Sequence, residues 1–80
     1  MRLNDENIRK TIRNIGNNII KEKYLLYIDD MEYPDYYALD IFTREKEEAY
    51  MQVSIKKDKE YTIKELEDII KKAYKERQFI

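Results

Sequence analysis

Eighty residues, 41% of them charged, with a net charge of −1 and neither cysteine nor histidine, describe one small domain (1–80) for which oligomerisation or partner binding is the remaining stabiliser. Disulfides and Cys/His zinc sites are excluded, and the near-neutral balance is not that of a dedicated nucleic-acid binder. No apolar run approaches the roughly 20 residues that span a bilayer, and Met1-Arg2-Leu3-Asn4-Asp5 opens on a polar helix rather than an apolar signal core, so a soluble, cytoplasmic protein without membrane contact is expected.

The first element is a helix. Asn4 or Asp5 is a suitable N-cap, with acids in the first turn where the helix dipole favours them. Ile8, Ile12, Ile15 and Ile19 then recur at helical spacing and form one apolar stripe. Gly16 leaves two readings: it ends the helix as a C′ residue, giving a span of about 4 to 16, or it lies inside a helix that continues to Ile19 or Ile20 at a cost of about 1 kcal/mol.

Three strands follow. In Tyr24-Leu25-Leu26-Tyr27-Ile28 the alternation sends Tyr24, Leu26 and Ile28 to the core and leaves Leu25 and Tyr27 on the other face. Asp29 to Asp35 is a turn, and Pro34 belongs there because it cannot donate to a ladder. The second strand covers 36–43, with Tyr37, Leu39 and Ile41 on one face and Tyr36, Ala38, Asp40 and Phe42 on the other. The polar segment Thr43–Glu48 turns the chain. The third strand covers about 49–56, with Ala49, Met51, Val53 and Ile55 opposite Tyr50, Gln52 and Ser54.

The last helix carries the clearest local signal. Thr62-Ile63-Lys64-Glu65 is a capping box, with Tyr61 and Leu66 at the hydrophobic-staple positions. Leu66, Ile69, Ile70, Ala73 and Tyr74 form its apolar stripe. Phe79-Ile80 is an apolar tail that docks or frays. The expected fold class is therefore α+β: a single small α-β-β-β-α domain, a three-stranded antiparallel meander with both helices packed on one face.

Charge is unevenly placed. Residues 1–23 hold six cations and three acids, whereas 24–43 hold no Lys or Arg and five acids: Asp29, Asp30, Glu32, Asp35 and Asp40. Catalysis has little to stand on, because the commonest general base and the best thiol nucleophile are absent, and a single glycine gives no phosphate-cradling loop. Oxygen ligands in the Asp29–Asp35 turn suit Ca²⁺ or Mg²⁺ in type, but no glycine or downstream glutamate falls in EF-hand register. No metal, cofactor or small-molecule substrate is expected.

Three resemblances bear on function. Pro34-Asp35 followed by Ser54-Ile55-Lys56 resembles the restriction-type nuclease pattern, but Ser54 stands where the second metal-binding carboxylate belongs, so two-metal chemistry does not carry over. The element order resembles double-stranded-RNA-binding domains, which implies nucleic-acid binding through Lys56, Lys57, Lys59 and the helix lysines Lys71, Lys72 and Lys75; the last helix opens on acids where that family is basic. In size, composition and topology the chain resembles small phage-encoded inhibitors of host defence, such as anti-CRISPR proteins. That resemblance implies a non-enzymatic protein that binds a basic surface on a host nucleic-acid-handling or defence protein.

The candidate partner-binding residues are Tyr27, Asp29, Asp30, Glu32, Tyr33, Asp35, Tyr36, Asp40, Phe42 and Tyr50. Aromatic side chains supply contact area at low entropy cost, and carboxylates pair with Lys or Arg. An open face of this kind serves a protein partner or a homodimer seam, and the two uses can coexist.

Overall fold

A computed structural model describes residues 1–44 and 48–79, and its elements run α1 (Ile8–Ile19), β1 (Tyr24–Asp29), β2 (Tyr36–Arg44), β3 (Glu48–Lys56), α2 (Ile63–Lys75) and β4 (Gln78–Phe79). The α+β class and the antiparallel meander are as expected. The tail adds something the pattern did not specify: Gln78 and Phe79 pair with Tyr50 and Ala49, making a fourth strand and the sheet order β1-β2-β3-β4. The second turn, at residues 45–47, and Ile80 lie outside the described residues.

One face of the sheet is the core. The rows Leu26–Ile41–Met51 and Ile28–Leu39–Val53 run across it. They pack against Ile8, Ile12 and Ile15 of α1 and Leu66 and Ile70 of α2. Period-2 and period-3.6 stripes thus meet in a single layer. Tyr61 is buried beside Leu66 as the staple requires, and its hydroxyl accepts from the Lys56 N–H at 3.1 Å.

The capping box at α2 is formed in full. Thr62 Oγ1 accepts from the Glu65 N–H at 3.0 Å, and Glu65 Oε1 accepts from the Thr62 N–H at 2.9 Å. The Thr62 N–H donor also holds the Glu65 carboxyl below the usual carboxylate range.

Helix α1 begins later than the expected residue 4, at Ile8, and follows the longer of the two readings past Gly16 to Ile19. Asn4 does accept at its side chain, from the N–H groups of Glu6 and Asn7 at 2.9 and 3.0 Å, but these close a turn that precedes the helix. Asp5 is not a cap at all; it accepts from the Tyr37 hydroxyl at 2.8 Å. Gly16 is interior and buried, and the helix runs on to Ile19. The reason is a contact from the next element. A Cβ at Gly16 would sit 2.9 Å from Tyr24 Oη. The glycine admits the Tyr24 ring, whose hydroxyl donates to Asn17 Oδ1 at 2.8 Å beneath the Arg13 guanidinium.

Candidate protein-binding face

The other sheet face carries no helix. Its rows are Leu25–Phe42–Tyr50–Gln78, Tyr27–Asp40–Gln52 and Asp29–Ala38–Ser54, with Tyr36 beside Lys56 at one end. Of the ten candidate residues, the structure brings six onto this face: Tyr27, Asp29, Tyr36, Asp40, Phe42 and Tyr50. Asp30, Glu32, Tyr33 and Asp35 lie in the β1–β2 turn at its edge.

The aromatics form a ladder. Tyr27 meets Phe42 edge-on at 6.1 Å between centroids, and Phe42 meets Tyr50 at 5.0 Å. Such pairs contribute about 0.5–1.5 kcal/mol beyond area burial. The ladder is graded in exposure: Tyr27 is 60% and Leu25 54% exposed, whereas Phe42 and Tyr50 are half-buried. Ala38 takes its expected place on this face, but its neighbours bury it. The tail pairs with the sheet edge at β3, and Leu25 and Tyr27 stay uncovered.

Tyr50 is fixed from below by Asp40. Its hydroxyl donates to Asp40 Oδ1 at 2.7 Å, and this bond, with burial, pushes its pKa up to about 12. Tyr37, on the core face, reaches about 12 chiefly through burial, helped by its bond to Asp5.

The turn is ordered by its own acids. Asp29 Oδ1 accepts from the N–H groups of Met31 and Glu32 at 2.9 and 3.1 Å, which holds its carboxyl below the usual range. The Lys57 N–H donates to the Asp35 carbonyl at 2.9 Å, and Lys57 Nζ donates to the Asp30 carbonyl at 2.6 Å. Asp29 therefore serves the turn, while the carboxylates of Glu32 and Asp35 project from exposed positions and Asp30 from a half-buried one. Among the described residues no group of three or more acids comes together to hold a metal ion.

The face is not acidic throughout. At the end away from the turn, Leu25, Tyr27 and Phe42 floor an open groove of about 510 Å³ rimmed by Lys23, Arg44 and Glu48. Arg44 and Glu48 are cross-strand partners, 3.2 Å apart. Lys23, Arg44 and Glu48 were not among the sequence candidates. The register Arg44↔Glu48 was the signal for two of them, and Lys23 stands one residue before an edge strand. The lysines singled out for nucleic acid are partly committed elsewhere: Lys57 lies over the Tyr37 ring, and Lys59 lies over the Tyr61 ring and 3.8 Å from Glu65.

Among the described residues no helix is long and apolar enough to cross a membrane. No protein-family model, curated protein or solved structure matches the chain.

Proposed function

We propose that this chain is a non-enzymatic protein-binding domain that docks through its open sheet face and the adjoining acidic turn. The observation that carries the reading is the patch of Leu25, Tyr27, Phe42 and Tyr50, an apolar and aromatic surface with no helix over it, beside exposed carboxylates. Half-buried Phe42 and Tyr50 supply a rigid floor, and the more exposed Tyr27 and Tyr36 are positioned to lose water on contact. Asp30, Glu32 and Asp35 select a partner surface rich in Lys or Arg.

The narrower reading is an inhibitor, carried by a phage or mobile element, of a host nucleic-acid-handling or defence protein. Carboxylates set beside a ladder of edge-on and tilted aromatics suit a surface that occupies a basic cleft made for nucleic acid.

The test is capture of a partner from nuclease-treated bacterial lysate, followed by measured affinity for variants. Tyr27→Asp, and charge reversal at Asp30, Glu32 and Asp35, should each abolish binding. Unchanged affinity in both sets overturns the assignment.

A further inference from the structure

The longer edge strand of the sheet is β1, and its chemistry is self-complementary. The bond from the Lys57 N–H to the Asp35 carbonyl sets the phase of the ladder. Odd residues of β2 turn their backbone groups toward β3, so even residues turn theirs toward β1. Through the register Leu25↔Phe42 and Tyr27↔Asp40, Leu25, Tyr27 and Asp29 bond to β2, and Tyr24, Leu26 and Ile28 aim their N–H and C=O groups off the sheet. The Arg9 guanidinium agrees with this phase, because it donates to the Leu26 carbonyl at 3.3 Å from outside the ladder.

We infer that β1 pairs with β1 of a second copy of this chain, antiparallel about a two-fold axis at Leu26, joining two four-stranded sheets into one. In that register Lys23 stands opposite Asp29 of the second copy, and Leu25 opposite its Tyr27. The two most exposed apolar side chains of the strand, Leu25 and Tyr27, then cover each other on both sides of the axis. The strand runs from a basic end to an acidic one, and the two-fold sets each end on its opposite.

The helix layer repeats that polarity. Arg13 and Lys21 line the hollow beside Tyr24, and Asp5 and Asp30 line the one beside Ile28. Glu22 does not oppose this, since its carboxylate takes the Tyr74 hydroxyl and lies 3.7 Å from Arg77. Arg9 lies near the axis on the Leu26 carbonyl, whose second lone pair remains for the N–H of the other copy. The pairing shares Leu25 and Tyr27 with the proposed partner surface but leaves Tyr36, Phe42, Tyr50 and the acidic turn open, and Lys23→Asp tests it without touching that surface.

The experiment is light scattering on the full chain from about 1 μM to about 1 mM, the range in which weak association is read, with amide exchange followed at the same concentrations. A dimer should appear, and the amides of Tyr24, Leu26 and Ile28 should gain protection in step with it. Lys23→Asp and Asp29→Lys should each weaken the dimer about tenfold or more, since a like pair replaces an opposite one twice per dimer. The double variant should recover most of the loss. A chain that stays monomeric throughout overturns the proposal. So does a dimer whose edge amides exchange at the monomer rate, because such a dimer forms elsewhere.

Discussion

The Tyr50 hydroxyl donates to Asp40 Oδ1 at 2.7 Å across the β2–β3 pair. The two residues lie on a diagonal of the open face, Asp40 opposite Gln52 and Tyr50 opposite Phe42. The bond holds an aromatic ring upright beside Phe42 and keeps the Asp40 carboxylate within the sheet. Asp40 is thus a support for the open face, and the carboxylates that project from it are those of the turn.

Tyr50→Phe removes that bond and leaves a half-buried carboxylate short of a donor. The expected cost is about 1 kcal/mol, read as a fall of about 4–8 °C in unfolding midpoint for a domain of this size. A midpoint equal to that of the parent chain would show that water replaces the hydroxyl without loss.

Alkaline titration should reach the hydrogen-bonded phenols late. The phenols of Tyr37 and Tyr50 sit at about 12 in the folded chain against an ordinary value of 10.0, and Tyr24 and Tyr74 are also raised. A raised phenol favours the folded state while it stays neutral. Its contribution is whole below pH 10.0 and is lost as pH climbs through about 12. Phenolate absorbance from Tyr37 and Tyr50 should therefore rise only above pH 10.0, together with loss of structure. Titration of Tyr37 and Tyr50 near the ordinary value counts against their bonds to Asp5 and Asp40.

Gly16→Ala should behave differently in two backgrounds. Alanine in a helix interior ordinarily gains about 1 kcal/mol over glycine. Here its Cβ meets Tyr24 Oη at 2.9 Å and Cζ at 3.3 Å, so the ring must shift and its bond to Asn17 is lost. Stability should be unchanged or lower in the parent chain. In a Tyr24→Phe background, which relieves the shorter contact, the same substitution should stabilise by some tenths of a kcal/mol up to about 1. A urea double-mutant cycle measures the difference, and strict additivity would refute the contact.

Thr62→Ala removes half of the capping box. The expected loss is about 1 kcal/mol, again about 4–8 °C in midpoint. Thr62→Ser should restore most of it, because the hydroxyl supplies the effect.

Much of the fold was legible from spacing. Strand phases at Leu26, Leu39 and Val53, the box at Thr62 and Glu65, and the helices' shared face all follow from local period and local chemistry. What was not legible depends on distant partners. Gly16 has the look of a helix end until Tyr24, from another element, is seen lying on it. Asp5 has the look of a cap until Tyr37 takes it. Gln78 and Phe79 show no strand period over two residues, and their pairing is set by where α2 delivers them along β3. On the open face, the aromatic alternation was visible in sequence, but the rim of Lys23, Arg44 and Glu48 required the register.

The two helices also imply an order of assembly. Helix α2 begins with both capping bonds in place and ends on Lys72 and Lys75, so its first turn is stabilised from within. Helix α1 has a glycine at its middle, no side-chain cap at Asn7 and no charge suited to the dipole at either end. A segment of 12 residues built that way is marginal alone, and it should become helical only against a sheet already present. The region of α1 and β1, which includes the longer edge strand, is then expected to consolidate last and open first, ahead of α2 and β3. Native-state exchange would show this as a lower opening free energy for the amides of Ile12 and Ile15 than for those of Ile69 and Ile70.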